Sequence, residues 1–197
     1  EIQKEDKEIQ YQYRAKQGVP VAFVEIRGRN EDGLMPWDGS TMSELEIRGP
    51  WVASAYYNTS EQDDKFTDDG WFRTGDIVTI DDKGYIEIKD RSKDVIKSGG
   101  EWISSVALEG ALMGHPAVAE AAVFAIPDEK WAERPMACVV LKEGKSATRE
   151  DLHKFLEPLF AKFWLPDAWE FVKEIPKTSV GKFKKSVLRE RYSNYKP

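Results

Sequence analysis

Three stretches of the chain hold residue types at spacings that could bind or transform a phosphorylated ligand. In Trp71-Phe72-Arg73-Thr74-Gly75-Asp76 a glycine lets the backbone turn closely and an aspartate follows at once. A carboxylate fixed at the end of such a turn can accept both hydroxyl donors of a ribose diol, although a turn aspartate bonding its own backbone has the same signature. Pro176-Lys177-Thr178-Ser179-Val180-Gly181-Lys182-Phe183-Lys184-Lys185 is rigid at its proline, flexible at Gly181 and dense in ammonium groups. That composition suits an anionic ligand, and it equally suits a solvated, lysine-rich entry to a helix. It is not a Walker loop, because no glycine stands five residues before Gly181 and Phe183 replaces the metal-binding hydroxyl. The third stretch, Asp90-Arg91-Ser92-Lys93-Asp94-Val95-Ile96-Lys97-Ser98-Gly99-Gly100-Glu101-Trp102, mixes charges with a glycine pair and could absorb a large backbone rotation. A plain solvated linker is the alternative, but linkers seldom carry Val95, Ile96 and Trp102 between their charges.

Other reactive side chains offer less. Cys138 sits in the apolar run Met136-Ala137-Cys138-Val139-Val140-Leu141, which predicts a buried thiol rather than a nucleophile. His115 and His153 have no cysteine or carboxylate at metal-ligand spacing and read as structural or solvated. The chain is expected to hold no metal site of its own, and it has no nucleophile elbow or dinucleotide fingerprint.

The elements that must position these stretches change character along the chain. Residues 1–18 are polar without a clean period and read like a chain entered in its middle. Residues 21–27 and 44–48 are β-prone, with turn chemistry at Asn30, Asp32, Gly33, Asp38 and Gly39 between them. Residues 76–80 and 85–89 flank Asp81-Asp82-Lys83-Gly84 as a hairpin. From Asp90 onward the period switches from two to 3.6. Ser104 or Ser105 should cap a helix over 105–113 with Leu108, Ala111 and Leu112 as its apolar stripe, ended by His115-Pro116. Two strands follow at 118–125 and 136–142. Thr148 and Asp151 resemble a capping box for a second helix that buries Leu152, Phe155, Leu156 and Leu159. A short strand at 169–172 and a last helix over 184–192, with Val187 and Leu188 inward, complete an α+β pattern.

Composition narrows the class. With 197 residues, 41% hydrophobic, the chain can bury one sizeable core or two small ones. Residues 1–89 carry 11 basic and 19 acidic side chains, net −8, whereas residues 90–197 carry 18 and 16, net +2. The asymmetry predicts two units, 1–89 and 90–197, and neither is basic enough for nucleic acid. No run approaches a membrane span and no signal-peptide pattern opens the chain, so a cytoplasmic protein is expected.

In this order, the three stretches resemble the adenylate-forming superfamily, which holds the acyl-CoA synthetases, luciferases and adenylation domains of peptide synthetases. Glu44-Leu45-Glu46-Ile47-Arg48-Gly49-Pro50 with Ala55-Tyr56-Tyr57 is similar to the family's strand before the ribose site, and Phe72 to Asp76 to the ribose motif itself. Lys97-Ser98-Gly99-Gly100-Glu101-Trp102-Ile103-Ser104, Gly114-His115-Pro116 and Trp131-Ala132-Glu133-Arg134-Pro135 are most similar to bacterial and archaeal medium- and long-chain fatty-acyl-CoA synthetases. Members that act on acetate or amino acids usually carry an arginine where Glu101 stands. The resemblance implies a small β-rich unit, part of a distorted barrel, followed by a mobile α+β C-terminal domain.

The same resemblance assigns roles. Lys182, in the loop 176–185, would be the adenylation lysine; Asp76 would hold the ribose hydroxyls with Arg91 assisting; Lys97 and Trp102 would lie around the nucleotide. Asp90 and Lys93 would belong to a hinge over 90–94, with Lys93 also near the nucleotide. Gly99 and Gly100 would face the pantetheine arm of coenzyme A. ATP, a fatty acid and CoA are the implied substrates. The phosphate loop, the glutamate that binds Mg2+ and the acyl pocket would lie in a preceding N-terminal domain. A nucleotide- or CoA-binding module without catalysis, and an acyl-AMP ligase that loads a carrier protein, remain as alternatives.

Overall fold

Alternating burial builds the first part of the molecule, whose computed structural model describes residues 2–56, 65–193 and 195. The chain divides into two compact units, Glu1–Lys93 and Asp94–Pro197. In the first, strands β1 (Glu25–Asn30), β2 (Gly33–Leu34), β3 (Ser43–Arg48), β4 (Phe72–Ile80) and β5 (Ile86–Arg91) form one antiparallel sheet in the order β2-β1-β3-β4-β5. Ile26, Leu45, Val78 and Ile80 cluster as its core. The hairpin expected around Asp81 forms because Oδ1 of Asp81 accepts the amides of Lys83 and Tyr85, at 3.0 and 2.9 Å. Glu46, 1% exposed, accepts from Arg27 Nε and lies 3.5 and 3.7 Å from Arg29 and Arg73, so its buried charge is neutralised within the sheet.

Three expectations need correction here. Residues 7–15 form a helix, α1 (Lys7–Ala15), in a stretch whose polar composition hid it; none of its residues is fully buried, and Tyr13 packs edge-on against Tyr85 at 4.8 Å between ring centres. The first strand starts at Glu25 rather than at 21, because a turn occupies Ala22 and Phe23, with Phe23 at φ +67°. The units divide after Lys93 rather than after Lys89, because β5 continues through Asp90 and Arg91, paired with Ile77 and Asp76 of β4. Tyr57 lies outside the described residues.

The second unit is a sheet with helices on both faces. Its elements are β6 (Ile96–Ser98), β7 (Glu101–Ile103), α2 (Ser105–Met113), β8 (Val118–Asp128), β9 (Ala132–Leu141), α3 (Arg149–Leu156), β10 (Ala168–Phe171) and α4 (Lys185–Arg191). The order is β10-β9-β6-β7, with β8 paired antiparallel to β9 and β10 parallel to it. Side chains alternate along β8 and β9: Ala121, Val123, Ala137 and Val139 pack with Leu108, Leu112, Leu152 and Leu156 of α2 and α3. Ala122, Phe124, Met136 and Cys138 pack with Leu188 of α4. Both faces being covered, the two strands read as nearly continuous apolar runs. Leu159, expected on the buried face of α3, is 56% exposed because that helix ends at Leu156.

Local signals account for two of these helices. Ser104 Oγ accepts the Ala107 amide at the start of α2, and Thr148 with Asp151 forms a reciprocal capping box at the start of α3. Thr148→Ala removes the acceptor for the Asp151 amide, and we expect it to lower stability by about 1 kcal/mol, read from the urea midpoint. Cys138 is fully buried, and burial pushes its thiol up to about 11. At pH 8 it should react with a maleimide only after unfolding; rapid labelling of the folded chain would contradict that placement.

Candidate functional site

Sheet register, more than turn chemistry, fixes the carboxylate of the first unit. A bulge between Ile77 and Val78 sets Asp76 directly opposite Arg91 on neighbouring strands, and Arg91 Nη1 lies 3.0 Å from Asp76 Oδ1. Gly75 supplies the required positive φ of +75°, its carbonyl accepts the Ser92 amide at 2.9 Å, and the Asp76 amide donates to Thr74 Oγ1 at 3.1 Å. Thr74 Oγ1 donates in turn to the Leu45 carbonyl at 2.9 Å, tying the turn to β3. Arg91 is charge-paired yet more than half exposed, so the pair sits open to a polar ligand. Asp90, expected in the hinge, is buried in β5, where its carboxylate accepts the Arg91 amide at 2.7 Å. Lys93 is exposed and ends the unit.

In the second unit the lysine-rich stretch is a loop closed on itself. The Thr178 amide donates to the Lys182 carbonyl at 2.8 Å, the Lys182 amide donates to Thr178 Oγ1 at 3.2 Å, and Lys184 donates to the Pro176 carbonyl at 2.8 Å. Gly181, at φ +81°, makes the tight turn. The loop is moored at both ends. Lys177 pairs with Glu120 of β8, and Lys185 reaches Glu109 and Ser105 of α2, each at 2.7 Å. Lys182 itself is exposed and enters none of the ion pairs among the described residues. Lys184 is likewise exposed and outside those ion pairs; Lys182 differs in standing inside the turn closed on Thr178, so that a rigid backbone presents its ammonium.

The glycine pair forms the two-residue turn of the β6–β7 hairpin, with Gly99 and Gly100 at φ +60° and +88°. Lys97 and Trp102 are directly opposite each other in that hairpin, and the Lys97 ammonium lies 5.5 Å from the centre of the Trp102 ring. The structure supplies a local reason for Gly99 that the sequence did not show: a Cβ there would stand 2.6 Å from Cε3 of Trp131. Nothing lies within 4 Å of a Cβ placed on Gly100, so the open face of the turn is at the second glycine. Trp131, Glu133 and Arg134 on the far side of this turn were missed as site residues. The readable signal was a charged pair entering the apolar run of β9.

Among the described residues, no group of three or more His, Cys, Asp or Glu side chains could hold a metal ion. His115 instead accepts the Ala117 amide through Nδ1 and packs edge-on to Phe155; His153 faces Glu157 at 3.4 Å along α3. A cavity of about 570 Å³ runs along α3 past His153, Pro166 and Trp169 and includes none of the expected site residues. No described helix is long and apolar enough to cross a membrane.

Comparison with known proteins covers most of the chain. Residues 107–182 match the model of the AMP-binding enzyme C-terminal domain. The chain is 54% identical over 185 residues to a long-chain-fatty-acid–CoA ligase of Thermus thermophilus, covering 92% of this chain and 34% of that protein. It is 41% identical over 182 residues to a medium-chain-fatty-acid–CoA ligase of Ectopseudomonas oleovorans, covering 92% and 33%. The crystal structure of ATP-bound MatB from Rhodopseudomonas palustris is similar at a TM-score of 0.80 and 32% identity, over 92% of this chain and 37% of that one. The chain thus spans about a third of the length of the curated relatives it matches.

Proposed function

We propose that the chain works as the C-terminal part of an ATP-dependent fatty-acid–CoA ligase, a reading supported by the match of residues 107–182 to the AMP-binding enzyme C-terminal domain. In the first half-reaction the fatty carboxylate attacks the α-phosphorus of ATP, giving acyl-adenylate and pyrophosphate. In the second, the thiol of CoA attacks the acyl carbonyl and AMP leaves. Both steps bring anions together, and a fixed ammonium offsets the repulsion and the charge that develops in the transition state.

The observation that carries this reading is the presentation of Lys182: exposed, on a loop closed by its own backbone and anchored at both ends by ion pairs. Its role is to hold the attacking carboxylate and the α-phosphate oxygens together in the first step. Asp76, with one oxygen engaged by Arg91, accepts from the ribose hydroxyls through the other. Lys97 and Trp102 lie around the nucleotide, and Lys93 and its neighbours form the hinge on which the second unit turns between steps. The Gly99–Gly100 turn serves the approach of the pantetheine thiol, with Gly100 as its open face. Mg2+, bound by a preceding domain, would neutralise phosphate charge; the described residues of this chain give it no cage of their own.

Incubating the full-length protein with ATP, Mg2+, CoA and a series of fatty acids tests this directly, with products resolved by mass spectrometry. Acyl-CoA and AMP in equal amounts are expected. Adenylate that accumulates with free CoA, yet discharges onto a phosphopantetheinyl protein, would instead favour the carrier-loading reading. No adenylate with any fatty acid would leave only a binding module.

A further inference from the structure

Arg134 uses every donor of its guanidinium inside the second unit. It lies in β9, 7% exposed, and Nε and Nη2 grip the carboxylate of Asp167 at 2.5 and 3.1 Å. Nη1 donates to the Phe163 carbonyl at 2.7 Å, and Nη2 also reaches the Leu165 carbonyl at 3.4 Å. The fifth bond runs from Nη1 to Oγ of Ser98, 2.9 Å away and 4% exposed. Ser98 is the residue immediately before Gly99.

The neighbours of Arg134 hold the residues on either side of Ser98. Glu133 accepts the Lys97 amide at 2.7 Å, and the Trp131 carbonyl accepts the Gly99 amide at 2.9 Å. Lys97, Ser98 and Gly99 are therefore each bound to the start of β9. Backbone pairing alone would not fix them, since the registered pairing between β6 and β9 is the single pair Ser98–Ala132.

Resting on the reading that the glycine turn serves the thiol step, we propose that Arg134 is a positioning residue for that step. It fixes Ser98, and with it the height and tilt of Gly99–Gly100, against the segment from Phe163 to Asp167. A planar fork with five donors meets these acceptors together; a lysine ammonium cannot. The Lys182 loop is held by a separate set of contacts, to Glu120, Glu109 and Ser105, so the adenylation step is insulated from this one.

The test compares Arg134→Lys and Ser98→Ala in the full-length ligase. Ser98→Ala deletes only the bond to the turn and leaves the Asp167 pair intact. Two quantities are measured: single-turnover thioester formation from preformed dodecanoyl-adenylate at rising CoA, and dodecanoate-dependent exchange of pyrophosphate into ATP. Thioester formation at saturating CoA should fall about tenfold or more in Arg134→Lys, in line with the cost of misplacing a reacting group. Ser98→Ala should lose less, in the same step, with exchange within about twofold of wild type in both. Proportional loss in both half-reactions, or no loss in thioester formation, overturns the proposal. A wild-type enzyme that exchanges no pyrophosphate would overturn the ligase reading, while discharge of the preformed adenylate would still decide the role of Arg134.

Discussion

Lys185→Met is expected to destabilise the chain by roughly 3–5 kcal/mol, the cost of leaving one member of a buried ion pair behind. Lys185 and Glu109 meet at 2.7 Å with side chains only 10% and 9% exposed, and Glu109 also accepts the Val123 amide at 2.7 Å. Removing the ammonium leaves a carboxylate in a low-dielectric site without its cation. The pair links the start of α4 to α2 and β8, so the loss falls on the mooring of the Lys182 loop as well as on the core. Urea unfolding followed by far-ultraviolet circular dichroism reads the effect. The double variant Lys185→Met with Glu109→Leu should recover much of the stability, since two apolar side chains can replace a buried pair. A loss below about 1 kcal/mol in the single variant would mean that the pair is solvated.

The second large effect concerns rate. Lys182→Ala should lower fatty-acid-dependent pyrophosphate exchange by about 10²–10³, the usual cost of removing one preorganised electrostatic donor. The loop around it should stay folded, because its bonds run through the Lys182 backbone amide and carbonyl and through Thr178 rather than through the ammonium. Lys182→Arg should restore little, since a planar guanidinium cannot take the place of a compact ammonium between two oxyanions. Unchanged thermal unfolding in both variants would separate the loss of chemistry from loss of structure.

Much of the second unit was legible because its signals are local. Ser104 and Thr148 carry side chains that cap helices, and the apolar runs at 118–125 and 136–142 lie where β8 and β9 form. What stayed hidden depends on contacts distant in sequence. The Asp76–Arg91 pair arises from a bulge in the β4–β5 register, which no window of sequence displays. Gly99 looked like a residue kept small for a ligand, but Trp131 fills the space over it. Arg134 stands in a run noted only for its resemblance to other synthetases, and its bonds to Asp167 and Ser98 join residues 33 and 36 positions away. Helix α1 escaped notice for another reason, since it is polar overall and none of its residues is fully buried.

The most direct test of the central claim measures both half-reactions of the full-length enzyme carrying Lys182→Ala: pyrophosphate exchange with fatty acid and ATP, beside thioester formation from preformed acyl-adenylate and CoA. Exchange should collapse while thioester formation survives. Exchange at the wild-type rate would contradict the assignment of Lys182 to adenylation, and with it the mechanism built on this loop.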